Sequence, residues 1–155
     1  MAHAGQRIEN PVTGEQITFV RTAADTGGAL LELEDRWTRR GQRTVEHVHP
    51  EMEERFEIIS GTARFLIDGK ELSAGPGDEV AVAPGTRHVA WNPSDEPVQL
   101  VLRFRPALRW EDFVERLFAL AADGATDENG IPEPAVMRAM LAEFSREIAP
   151  APRAR

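Results

Sequence analysis

GQRTVEHVHPEMEERFEIISG, residues 41–61, decides how this chain is read. In a β-strand alternate side chains share a face, so His47 and His49 point the same way with Cα atoms roughly 6.5 to 7 Å apart. Two imidazoles placed like that can converge on one ion. Pro50 stops regular pairing after the second histidine, and the acidic turn Glu51 to Glu53 lets the chain double back, so that Glu54, opening the next strand, can add an oxygen. Glu53 is the alternative carboxylate, but alternation puts it on the face opposite Phe56 and Ile58. A further ligand must come from elsewhere. The chain has 4 histidines, and His3 falls in a terminus expected to fray, which leaves His88.

Composition narrows the function classes. The 155 residues, 41% of them hydrophobic, suffice for one sizeable core and read as a single domain. A net charge of −8 without a Lys/Arg cluster argues against a nucleic-acid partner, whose phosphates need a basic face. Cysteine and tyrosine are both absent. Disulfides, thiolate metal sites and phenolic acids or radicals are thereby excluded. No apolar stretch reaches the roughly 18 residues of a membrane span, and residues 1–6 hold no signal-peptide core, so a cytoplasmic protein is expected.

Outward from the central stretch, short strand-like runs alternate with Gly, Pro, Asn and Asp turns. Strands are expected over 7–9, 17–20, 30–37, 44–49, 54–60, 62–67, 70–72, 80–83, 88–92 and 98–105. Asp68-Gly69 is a strong hairpin signal. Such a series specifies a mainly β sandwich or small barrel. From Trp110 the apolar residues Phe113, Val114, Leu117, Phe118 and Ala121 recur at helical spacing, with Gly124 placed to end the helix. A second helix follows a polar loop, with Pro134 early and Val136, Met140, Leu141, Phe144 and Ile148 on one side. The proline-containing residues 149–155 read as a disordered tail.

At these spacings the sequence resembles the cupin superfamily, specifically its small single-domain conserved-barrel (cupin type 2) members. Their first motif is met throughout by Gly41, His47, His49, Glu54 and Gly61. Their second is met by Gly77, Gly85, His88 and Asn92, with Ala83 where the motif has proline and Pro84 one place later. The resemblance covers roughly residues 36–104. It implies a double-stranded β-helix, or jelly-roll barrel, over residues 1–106, with residues 107–148 as a helical extension beyond it. It also implies one divalent transition metal ion held by His47, His49, Glu54 and His88. Three imidazoles and a carboxylate suit Fe, which we place first, or Mn, Ni, Co or Zn, and poorly suit Ca or Mg.

Alternation assigns Trp37, Phe56, Ile58 and Ala90 to the substrate pocket, together with Gln99 and Arg103 if their face of the last strand turns inward. Phe65, Val80 and Val82 read more simply as plain core. Asp35 shares a face with Trp37 and, if interior, is a buried carboxylate able to relay protons or orient a ligated histidine. The helix from Trp110 either lids the barrel mouth or covers a sheet edge and packs a homodimer. Its broad stripe without an ionisable cluster favours the second reading. The expected function is a mononuclear metal dioxygenase acting on a small oxygenated organic molecule, with Glu54 as ligand or base. The alternatives are a Lewis-acid isomerase, cyclase, dehydratase or decarboxylase, and a non-enzymatic small-ligand binder.

Overall fold

The computed structural model describes residues 2–42 and 45–152. In chain order its elements are β1 (Arg7–Glu9), β2 (Glu15–Arg21), α1 (Ala23–Thr26), β3 (Leu31–Trp37), β4 (Gly41–Gln42), β5 (His47–Val48), β6 (Glu53–Ser60), β7 (Ala63–Ile67) and β8 (Lys70–Ala74). There follow β9 (Glu79–Val82), β10 (His88–Asn92), β11 (Val98–Arg105), α2 (Trp110–Ala122), α3 (Pro134–Glu143) and β12 (Ala149–Pro150). Strands β1, β2, β3, β11, β6 and β9 make one antiparallel sheet in that order, and β12, β5, β10, β7 and β8 make the other, with β4 also pairing β10. This is the two-sheet jelly-roll barrel the motifs imply. Two helices follow its last long strand.

Period-two patterning drives the sheets together. On β11, Val98, Leu100, Leu102 and Phe104 are buried while the residues between them face out. Across the interior, Phe56 of β6 meets Phe65 of β7 edge-on at 4.9 Å, joining the two sheets in one core. Asp68 and Gly69 both take positive φ, 49° and 79°, as a tight two-residue hairpin between β7 and β8 requires.

Three local expectations are corrected. The strand expected over 44–49 shortens to His47–Val48, with residue 44 outside the described residues. His49 leaves the ladder before Pro50, and its carbonyl accepts from the Gly85 N–H at 2.8 Å instead. The amino-terminal residues do not fray. Ala2 is buried in the core and the Gly5 N–H donates to the Phe19 carbonyl at 2.8 Å. Nor is 149–150 a disordered tail, because Ala149 and Pro150 pair with Val48 and His47, at a sheet edge where proline's missing N–H costs no ladder bond. Residues 153–155 of that predicted tail lie outside the described residues. Among the described residues no helix is long and apolar enough to cross a membrane.

Gly61 has φ 79°, and a Cβ there would come within 2.4 Å of the Pro97 carbonyl oxygen. Gly61→Ala is therefore expected to lower unfolding free energy by about 1–3 kcal/mol, read from denaturant melts. Gly69, with open space around it, should accept asparagine with a smaller loss.

Candidate metal centre

Four buried side chains converge between the two sheets. His47 comes from β5 and His88 from its neighbour β10, where the two are register partners. His49 follows one residue past β5, and Glu54 reaches across from β6 in the facing sheet. One donor atom from each lies within 4.8 Å of every other, and none of the four residues is more than 8% exposed.

Hydrogen bonding decides which ring nitrogen points inward. The Nδ1 of His47 lies 2.7 Å from the Val45 carbonyl, that of His49 2.7 Å from the Glu147 carbonyl, and that of His88 2.9 Å from the Thr86 carbonyl. A carbonyl oxygen only accepts, so each Nδ1 carries a proton and Nε2 is the nitrogen that each ring turns inward, free to carry a second proton or to offer its lone pair to an ion. Glu54 Oε2 then lies 3.0 Å from Nε2 of both His49 and His88. Three inward nitrogens and a carboxylate in a buried space can be satisfied by protons shared with Glu54 or by a bound cation, and this donor set fits a transition metal.

Electrostatics agree. Burial, reinforced by the neighbouring imidazoles, holds the His47 pKa down at about 4, so it stays a neutral donor. Burial alone would raise the Glu54 pKa, but the charges and hydrogen bonds of His49 and His88 outweigh it and keep the carboxylate ionised. Burial pulls His88 down, yet its hydrogen bond to Glu54 and the Glu54 charge carry it above the usual histidine value. Glu53, the alternative carboxylate, is half-buried and bound to Arg55 at 2.8 Å, away from the cluster.

The cluster opens onto a cavity of about 250 Å³. Trp37, Phe56 and Ala90 line it. Ile58 does not; it is 1% exposed and belongs to the core, like Phe65 and Val82. Gln99 and Arg103 are corrected outright. The apolar set of β11 takes the interior, which leaves Gln99 exposed and puts Arg103 on the outer face, paired with Glu32 at 2.6 Å, Glu57 at 3.4 Å and Glu79 at 3.8 Å. Asp35 is interior, 2% exposed, lines the cavity and accepts from Trp37 Nε1 at 3.1 Å. It orients none of the three imidazoles, whose Nδ1 atoms are all taken by backbone carbonyls.

Sequence reasoning missed the far wall. Trp110, Val114, Leu117 and Phe118 of α2, with Met137 and Leu141 of α3, close the cavity from above. Trp110 meets the His49 ring edge-on at 4.8 Å. Helix α2 thus lids the mouth, the first of the two placements offered from sequence, rather than only covering a sheet edge. The breadth of its stripe announces a large buried face but not which surface that face meets.

Residues 39–104 match the family described as the cupin domain. No curated protein matches the chain. Several solved structures share the fold. KdgF from Halomonas sp. is 18% identical with a TM-score of 0.57, covering 68% of this chain and 94% of its own. A sugar phosphate isomerase from a cupin superfamily, from Silicibacter pomeroyi, is 20% identical with a TM-score of 0.54, covering 64% of this chain and 70% of its own. A Streptomyces nucleoside dehydratase is 19% identical with a TM-score of 0.54, covering 69% of this chain and 80% of its own. At these identities the likeness is one of fold.

His88→Ala removes one donor and should weaken Zn(II) binding by more than the roughly 10- to 100-fold typical of losing an outer hydrogen-bond partner, measured by competition with a chromophoric chelator. Unchanged affinity in a folded variant would refute the four-residue site.

Proposed function

We propose that this chain, which carries a cupin domain over residues 39–104, is a metal-dependent enzyme that dioxygenates a small oxygenated organic molecule with an apolar body. The single observation behind this reading is the position of the buried His47, His49, Glu54 and His88 cluster at the end of a cavity walled by aromatic and aliphatic side chains. Among the described residues no lysine or arginine lines that cavity, so no cationic side chain described there pairs with a phosphate or a free carboxylate. A transition metal ion held by the cluster would supply redox capacity and open coordination positions for an enol or phenol and dioxygen; iron is the first choice.

The chain's own residues do the remaining work. The three backbone-tethered imidazoles hold their lone pairs toward one point without reorganisation. Ala90, one strand position of the same phase beyond His88, leaves room beside the cluster for a substrate oxygen to approach. Trp110, Phe104 and Leu33 exclude water, which protects reactive species from hydrolysis and strengthens every charge interaction inside. Glu54, ionised and touching two imidazoles, either remains a ligand or takes the substrate's hydroxyl proton.

One observation favours a second reading, a Lewis-acid isomerase or dehydratase. Asp35 places a second buried carboxylate on the cavity wall, where it can move a proton while the ion polarises a carbonyl.

Anaerobic loading with Fe(II), followed by addition of enols, diketones and catechol-like compounds, is expected to give substrate-dependent oxygen uptake. Turnover that persists without oxygen, with Zn(II) in place of iron, and that collapses in Asp35→Asn would select the second reading. In either case Ala90→Phe should leave ion content unchanged while reducing kcat/KM by at least about tenfold, since roughly 1.4 kcal/mol of steric cost suffices for that loss. Full activity in this variant would place the substrate elsewhere.

A further inference from the structure

The three imidazoles differ in what holds their outer nitrogen. His47 and His88 are tethered by carbonyls two residues back on their own stretch of chain, Val45 and Thr86. His49 is tethered from 98 residues away, by Glu147. Glu147 follows α3 and lies outside residues 39–104, the part that matches the cupin domain.

The segment carrying Glu147 is clasped around the ligand-bearing turn. Phe144, fully buried, packs edge-on against Phe113 of α2 at 5.4 Å. Arg146 straddles the Glu51 carboxylate with contacts of 3.1 Å. Ala149 and Pro150 pair with Val48 and His47, and the Ala151 N–H donates to the Glu46 carbonyl at 3.3 Å. These attachments fall on both sides of His49, and the buried Glu147 side chain adds a tie to the start of α2 by accepting from the Arg109 N–H at 3.4 Å.

We propose that residues 144–150 form a carboxy-terminal strap that positions His49 for the ion, so that strap docking and metal binding are thermodynamically linked. The Glu147 carbonyl fixes both the tautomer and the ring angle of His49, and a partner in that place typically changes metal affinity by about 10- to 100-fold. Linkage is reciprocal: whatever the docked strap adds to ion affinity, the ion adds to strap docking. Ile148, Ala149 and Pro150 also line the cavity, so the docked strap completes the pocket and the metal centre together. The inference rests on ion binding at this cluster and is independent of which reaction follows.

Calorimetric titration of the full chain with Zn(II) tests the premise, and hydrogen–deuterium exchange of the same protein with and without Zn(II) tests the strap. Zinc should be taken up, and amides of residues 147–151 should gain at least about tenfold protection while those of the β7–β8 hairpin stay unchanged. A chain ended after Glu143, if folded by circular dichroism, should bind zinc about 10- to 100-fold more weakly and shift the visible bands of the Co(II)-loaded form. Absence of zinc uptake by the full chain would remove the premise. Uptake with unchanged exchange at 147–151, or a folded shortened chain of undiminished affinity, would overturn the strap; if the shortened chain does not fold, the exchange result decides.

Discussion

Four acceptor groups aimed at one buried point are the constraint on which the rest of this structure depends. An ionised carboxylate and three imidazole nitrogens, removed from water between two sheets, forfeit hydration and must be compensated by shared protons or by a bound cation. Everything adjacent serves to keep them there. Glu54 belongs to one sheet and His47 and His88 to the other, so the centre ties the two layers of the barrel at one end. Two residues further along β6, on the same face as Glu54, the layers are joined by aromatic packing instead, Phe56 against Phe65 of β7.

The helical extension is part of this construction. Phe113, Val114 and Phe118 of α2 are buried, each contributing about 1.5–3 kcal/mol relative to exposure. A continuous aromatic run links the extension to the ligands: Phe113 stacks on Trp110 at 4.9 Å, and Trp110 meets both His49, at 4.8 Å, and Phe104, at 5.6 Å. The same contacts that hold the helix on the barrel therefore form the wall of the cavity.

On the outer face of the first sheet the chemistry inverts. Arg103 lies among Glu32, Glu57 and Glu79, and Arg21 shares Glu32 at 3.2 Å. The Arg103 hydrogen bond holds the Glu32 carboxylate below its ordinary pKa against the opposing effect of its partial burial. This lattice of charges satisfies a half-exposed sheet surface. It also explains why an arginine on the last long strand, chemically suited to grip an anion, takes no part in the site.

Much of this was legible in the residue order. Two histidines one residue apart, a carboxylate after a proline-containing turn and a single remaining interior histidine identified the four residues of the buried cluster, because strand alternation and turn chemistry are local and survive without knowledge of the partner strand. The hairpin at Asp68-Gly69 and the β-rich architecture followed for the same reason. Facing was less secure wherever both faces of a strand carried plausible groups. Gln99 and Arg103 turned outward because Val98, Leu100, Leu102 and Phe104 bury more apolar surface, a competition settled only when both sheets are in place. The tertiary structure alone decided that α2 covers the mouth, that 149–150 is a strand and that the outer nitrogen of His49 belongs to Glu147. Each is a contact between segments far apart in the chain, and no local propensity encodes which distant surface an apolar stripe or an unpaired strand edge will meet.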